Sequence, residues 1–240
     1  MIYQTDIYTD KADISDVYSE MAVKIHGAVM KAIPQDYSRK MHTPSYHPFS
    51  IFVVPVDNDF IIRVSALCDE AKIIPETLAE KKSLKIYGMK NPLKILKSES
   101  AEPLDAEKCY NYISEKGCSI TFITPATIKT KGRFSAVPDI SAYFYSTVCK
   151  YNEFEKEKIS YDEFKEAFSC AVFEEYRLES VKYNVSGNII SGMTGYCRIL
   201  FPKDEEQNIL LRKVIAYASY SGIGGKTSMG MGGIIVQDIQ

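Results

Sequence analysis

The sequence predicts an α+β fold of two tandem βαββαβ units, with a glycine-rich loop near the C-terminus. Three observations carry that prediction. Residues 1–102 run strand, helix, two hairpin strands, helix, strand, which is the ferredoxin-like order. Residues 103–240 repeat it. Six of the thirteen glycines fall from Gly222 to Gly233, between the last helix and the last strand.

Met1 to Tyr8 alternates in part and reads as an edge strand. Asp13 suits an N-cap, and Ile14, Val17, Met21, Ile25, Ala28, Val29 and Ala32 then recur at helical spacing until Pro34. His26 lies at the margin of that stripe and reads as a core-edge histidine. Residues 35–48 carry His42, Tyr46 and His47, with Arg39 and Lys40 alongside. Pro44 and Pro48 hold the residues before them extended, so at least from His42 onward this reads as a loop rather than a helix. Phe49–Val56 and Phe60–Leu67 flank Asp57, Asn58 and Asp59, a hairpin signal.

Ala71 to Lys82 reads as the second helix, with Ser83–Tyr87 or Pro92–Leu96 as further strands. The polar stretch Lys97–Glu107, with Pro103, fits either the boundary between domains 1–102 and 103–240 or a long loop within one domain. Asp105–Ser114 then reads as a helix and Cys118–Ile123 as a strand ended by Thr124 and Pro125. Ile140–Tyr151 and Tyr161–Phe168 read as helices, and Ala171–Val185 and Ile189–Phe201 as two long strands. In Glu205–Tyr220 a 3.6-residue rhythm runs through Ile209, Leu210, Lys213, Val214 and Tyr217. That helix delivers the glycine loop, and Gly233–Gln237 follows as a strand.

With 240 residues and 45% apolar content the chain can bury two cores. Charges interrupt every long apolar stretch and the N-terminus is polar, so neither a membrane span nor a leader is expected and the protein reads as cytoplasmic. The six cysteines show no C-x-x-C pair and read as buried free thiols. Three histidines and no H-E-x-x-H motif give no metal signature, and no cofactor is expected. The net charge of −2 is unevenly spread. Acid concentrates from Glu153 to Glu179, whereas lysines dominate from Lys72 to Lys97, and Lys129, Lys131 and Arg133 sit together. Such segregation permits a basic surface on a near-neutral chain. Gly225, Lys226 and Thr227 spell the end of a phosphate loop, but the glycine that opens that pattern would fall at Tyr220, so a nucleotide-hydrolysing reading is set aside.

The run G-I-G-G-K-T-S-M-G-M-G-G from Gly222 resembles the C-terminal glycine-rich loop of the repeat-associated RNA-binding (RAMP) superfamily of CRISPR systems. Within it, the closest resemblance is to the endoribonuclease that cuts the precursor transcript at each repeat. Ser119–Thr127, Ser141–Phe154 and Ser191–Phe201 match in the expected order, so the resemblance spans most of the second half. It implies two tandem ferredoxin-like domains and RNA cleavage without metal. RNA can be cut that way because the 2′-hydroxyl beside the scissile phosphate is an internal nucleophile. The protein must align that hydroxyl, take its proton, protonate the 5′-oxygen and stabilise the added charge. Products with a 5′-hydroxyl and a 2′,3′-cyclic phosphate follow.

By resemblance, His42 holds the catalytic position in the loop after the first helix. His47 falls where many members carry a phosphate-supporting lysine, with Tyr46, Arg39 and Lys40 as further candidates for orientation or charge. The tyrosine that some members carry in the first helix is replaced here, at its closest position, by Met30. RNA contacts are expected from Lys129, Lys131 and Arg133. Others are expected from the N–H groups and side chains of Gly222, Gly224, Lys226, Thr227, Ser228, Gly230 and Gly232. The implied partners are repeat RNA in the precursor transcript, subunits of a CRISPR effector complex and a second copy of the chain. A guide-binding subunit without turnover and a small-molecule enzyme on the same frame are the rival readings.

Overall fold

The structure, a computed structural model, describes residues 1–10, 18–40, 47–56, 59–137 and 139–239. The first sheet contains β1 (Tyr3–Thr9), β2 (Phe49–Val56), β3 (Asp59–Ala66), β4 (Ser83–Leu84) and β5 (Leu93–Ser100) in the order β2-β3-β1-β5-β4. All its pairings are antiparallel. The expected edge strand β1 is therefore central, between β3 and β5. Local alternation reports which face of a strand is buried and is silent about its neighbours. Asp6 binds this place in the sheet: its two carboxylate oxygens accept from Arg63 Nε and Nη2 at 2.8 and 2.7 Å.

Helix α1 (Tyr18–Ala32) confirms the strongest periodic signal, and Asp13 lies outside the described residues. Gln35–Lys40, ahead of the stretch read as loop from His42 onward, forms a short helix, α2. Pro34 presets a helical φ at its start and accepts from Ser38 N at 2.9 Å, whereas Pro44 and Pro48 restrict only the residues just before them. The second helix is shorter than expected: a 3₁₀ turn at Asp69–Lys72 leads into α3 (Ile73–Ala79). Both candidate strand stretches are used, as β4 and β5. β5 absorbs the start of the polar stretch up to Ser100, and the chain stays tied to this sheet through a bridge between Ile2 and Leu104.

Asp105 caps a 3₁₀ segment, Ala106–Tyr112, where a longer helix was expected. The second sheet contains β6 (Gly117–Ala126), then, past a small hairpin of β7 (Ile128–Thr130) and β8 (Arg133–Ser135), β9 (Val172–Val185), β10 (Asn188–Leu200) and β11 (Ile234–Asp238). Its order is β11-β6-β10-β9, again antiparallel. β6 runs on through Pro125, whose carbonyl accepts from Gly232 N at 2.9 Å. Helices α4 (Ile140–Phe154), α5 (Tyr161–Ser169) and α6 (Glu205–Ser221) cover one face, and α5 starts on a full capping box between Ser160 and Glu163. Each sheet thus keeps the ferredoxin-like strand order. Among the described residues no helix is long and apolar enough to cross a membrane.

β2 shows why its sequence reads as a nearly unbroken apolar run. Phe49, Ile51 and Val53 enter the core under α1, while Phe52 and Val54 turn to the opposite side and pack with Ile61, Ile123 and Ile235. A strand buried on both faces loses the polar half of its alternation. Ser50, on the Phe52 face and fully buried, donates from Oγ to the Tyr220 carbonyl at the end of α6. Of the cysteines, Cys109, Cys118 and Cys197 are buried as expected; Cys68 and Cys149 are half-buried and Cys170 is exposed. Burial pushes the Cys109 and Cys197 thiols up to about 12.

The end of α6 is held by a buried cation. Lys150 on α4 donates from Nζ to the carbonyls of Ser221 and Gly222 at 3.1 and 2.9 Å. Burial draws its pKa down to about 7, against the pull of the two carbonyls and the negative end of the helix. A lysine with a lowered folded pKa leaves the unfolded chain binding more protons above pH 7, so stability rises with pH there. Urea unfolding should accordingly show the wild type gaining stability relative to Lys150→Met from pH 7 to about 8.5, a difference in which the thiols, which titrate near 8.5 in both unfolded chains, cancel. Parallel pH dependence of the two proteins would contradict this account of Lys150.

Candidate active site

Helix α1 presents three stripes to three surroundings. Met21, Ile25, Ala28 and Val29 face the core of the first sheet. Ala22 and His26 face the segment that follows α6. Val23 packs with Tyr183, Val185, Ile190 and Met231, and with Lys24, Gly27 and Lys31 lines an open groove. Residues four apart share a face, so the second stripe follows from the spacing alone.

The segment 222–233 is a shaped, mostly buried connection rather than an open loop. Its Lys226 adopts φ 64°, and a short 3₁₀ turn, Thr227–Met229, follows. The density of glycine has a packing reason. Gly230 sits at φ 90°, and a Cβ there would lie 2.1 Å from the Cβ of Ala22 on α1. At Gly224 a Cβ would lie 2.3 Å from the Thr127 carbonyl oxygen. The segment reaches both α1 and the β6–β7 junction only without side chains at those points.

The expectation that these glycines offer their N–H groups to phosphate narrows accordingly. Gly222 N donates to Ala218 O at 2.8 Å, Gly224 N to Tyr143 O and Ser146 Oγ at 3.2 and 2.5 Å, Gly230 N to Thr227 O at 3.4 Å, and Gly232 N to Pro125 O. Those donors are engaged within the protein. Lys226 keeps a basic side chain at the surface: its Nζ lies 5.4 Å from the centroid of Phe134. Lys129 Nζ lies 6.0 Å from the same ring. Lys131, at φ 49° in the β7–β8 turn, and Arg133 are exposed beside them. Two stretches almost a hundred residues apart thus form one basic surface around Phe134, each cation favoured by the ring face. Thr227 and Ser228 are buried beneath it.

On the other side of Ser228 stands a histidine cluster. His26 Nδ1 lies 2.8 Å from the Ser228 carbonyl oxygen. A carbonyl only accepts, so Nδ1 carries the hydrogen, and the basic lone pair of the neutral ring is at Nε2. The His26 ring stacks on Phe49, with centroids 6.0 Å apart and planes at 10°, and His47 packs against the same Phe49 at 5.8 Å. His26 is thus at the core edge as its spacing suggested, and also in contact with the glycine segment, which sequence spacing did not reveal. Met30 is one turn further along the His26 stripe. Arg39 and Lys40 are exposed at the end of α2, Arg39 facing Asp36 at 3.9 Å, a contact that water screens heavily. His42 and Tyr46 lie outside the described residues. In sequence His42 falls two residues after Lys40 and five before His47. Among the described residues no group of three or more His, Cys, Asp or Glu is placed to hold a metal ion.

Two ferredoxin-like units, with the glycine segment of the second lying on α1 of the first, a basic surface on one side and histidines on the other, are the arrangement expected from the resemblance to the RAMP superfamily. Comparison with known proteins sharpens this. The family "CRISPR-associated endoribonuclease Cas6" matches residues 120–234. An endoribonuclease of that name from Streptococcus thermophilus is 28% identical over 227 residues, covering 91% of this chain and 92% of the relative. Another from Mycobacterium tuberculosis is 25% identical over 227 residues, covering 90% of this chain and 71% of its own. Among solved structures, a Cas6 product complex superposes with a TM-score of 0.80 at 16% identity, covering 99% of this chain and 100% of the other. A Cas6-related protein from Pyrococcus furiosus gives 0.64 at 13%, covering 100% and 99%. At those identities the superpositions speak for the fold. Together with the relatives that run along nine-tenths of the chain, these matches agree in supporting a CRISPR-associated repeat-processing endoribonuclease.

Replacing Gly230 with Ala should lower the urea midpoint sharply, by about 2–4 kcal/mol of stability, because the left-handed backbone and the contact with Ala22 both resist a Cβ. An unchanged midpoint would mean that the segment can lift off α1 at little cost.

Proposed function

We propose that the protein cuts CRISPR repeat RNA once in each repeat by attack of the 2′-hydroxyl on the adjacent phosphate, without metal. It leaves a 5′-hydroxyl and a 2′,3′-cyclic phosphate. The observation that carries this reading is the meeting of the basic surface around Phe134 with the His26–Ser228 contact across one glycine segment. A phosphodiester lying over that segment has cations on one side to neutralise the developing charge and imidazoles on the other to move protons. In this reading His42 takes the principal proton-transfer role that the family resemblance gives it. His26, with Nδ1 fixed by the Ser228 carbonyl, supplies the second group in place of the absent first-helix tyrosine, through Nε2. His47 and Tyr46 orient the phosphate, and Lys129, Lys131, Arg133 and Lys226 hold the RNA backbone. Arg39 and Lys40 extend the same charge past α2.

The division into residues 1–102, carrying the histidines, and 103–240, carrying the basic surface, goes with this proposal. So do a cytoplasmic site of action and hand-over of the product to subunits of an effector complex, with a second copy of the chain as a further partner. His42→Ala should reduce single-turnover cleavage by about 10²–10⁴-fold, the usual worth of general acid–base help, while repeat binding changes little. His26→Ala should lower the rate and remove one limb of its pH dependence. Cleavage that survives both substitutions would return these histidines to a structural role and favour a guide-holding subunit. Lys226→Ala should weaken binding and flatten its salt dependence by about 0.7–0.9 in log–log slope.

A further inference from the structure

The third stripe of α1 lines a groove of about 440 Å³ that the site above does not use. Its walls are Lys24, Gly27, Ala28 and Lys31 from the helix, Lys85 and Tyr87 from the connection after β4, and the tip of the β9–β10 hairpin. Three of its described lining residues are lysines and none is acidic. Tyr87 is 81% exposed, which is unusual for so large a ring. It is held outward by a tight turn in which Met89 N donates to Ile86 O at 3.2 Å, with Ile86 buried beneath.

Gly27 is the informative residue. It lies in the interior of a 15-residue helix, where glycine destabilises relative to any straight-chain residue. Most other glycines of this chain admit another part of the protein, as Gly230 admits Ala22, or take a left-handed turn in open space, as Gly88, Gly132 and Gly187 do; Gly27 does neither. At Gly27 an added Cβ would meet no heavy atom within 4 Å. The fold gains nothing from the missing side chain, and the space it leaves is the floor of the lysine-lined groove.

We propose that this groove is a second RNA subsite, which takes an unpaired stretch of the transcript next to the cleavage site. A base stacks on Tyr87 and phosphates lie against Lys31 and Lys85, with the backbone passing close over Gly27. The chemistry favours a single strand: cations track the phosphates, an exposed aromatic accepts any base, and the apolar floor of Val23 and Ala28 suits a ring edge. Gly27 directly follows His26 in the helix, so a strand leaving the glycine segment meets the groove one stripe further round. The proposal rests on the reading of the protein as a nuclease of repeat RNA.

The test measures affinity for a repeat RNA with single-stranded flanks, made uncleavable by a 2′-deoxy substitution at the cut site, together with the melting temperature of each variant. Gly27→Gln places a helix-favouring side chain in the groove, with a Cβ that meets no heavy atom within 4 Å. It should raise the melting temperature by about 1–3 °C and weaken RNA binding roughly tenfold. Lys31→Gln with Lys85→Gln should lower the slope of log affinity against log salt by about 1.4, and Tyr87→Ala should weaken binding roughly tenfold. A lower melting temperature for Gly27→Gln would show that the fold itself needs the space and would overturn the proposal. Equal RNA affinity for all variants and the wild type would also overturn it, leaving the groove to a protein partner or to solvent. A wild-type protein that neither binds nor cuts repeat RNA would instead remove the functional reading on which the subsite rests.

Discussion

The approach of Gly230 to Ala22 sets the geometry of the candidate site. Because neither residue projects beyond a Cβ, the segment after α6 lies directly on α1. That closeness brings the Ser228 carbonyl within 2.8 Å of His26 and fixes which ring nitrogen carries the hydrogen. On the far side of the segment, Gly224 lets the chain pass over Thr127, so Lys226 reaches the ring of Phe134 that Lys129 already shares. Cations and imidazoles therefore face each other across a strip of backbone whose own N–H groups are largely engaged within the fold. Lys150 holds the start of that strip through two carbonyls, and Ser50 of β2 holds the residue before it.

The charge distribution fits an RNA surface despite a net charge of −2. Acid from the stretch Glu153–Glu179 is carried by α5 and the edge strand β9, and part of it is taken up locally. Glu174 pairs with Arg198 at 3.4 Å, Glu175 accepts from the Tyr196 hydroxyl, and Glu163 caps α5. The basic groups lie elsewhere, on the β7–β8 hairpin, at Lys226 and along the outer stripe of α1. A phosphate backbone following the cations would pass over the glycine segment beside the histidines.

Much of this architecture was legible in the sequence because it depends on local pattern. The apolar rhythm of α1, α4 and α6, the hairpin of β2 and β3 and the two long strands β9 and β10 follow from period and turn residues. What was not legible depends on partners distant in the chain. β1 alternates like an edge strand yet lies centrally, since alternation carries no information about strand order. Gln35–Lys40 forms a helix because Pro34 helps to start one, whereas the two later prolines speak only for the residues from His42 onward. In the site, glycine density was visible, but its cause was not: the same composition suits an anion cradle and a backbone packed against a helix. His26 illustrates the same limit. Its spacing placed it correctly at the core edge, and nothing in its neighbourhood pointed to a carbonyl 202 residues away. Phe134, the ring shared by two cations, carried no signal of its own.

The central claim is that the RNA supplies its own nucleophile and the protein supplies protons and charge. The most direct measurement is cleavage of an end-labelled repeat RNA in excess EDTA, beside the same RNA carrying a single 2′-deoxy substitution at the cut site. The account predicts one cut in EDTA, with a 2′,3′-cyclic phosphate end, and no cut at that position in the deoxy substrate. Cleavage of the deoxy substrate at the same place, or loss of all cleavage in EDTA that returns with a divalent cation, would contradict it.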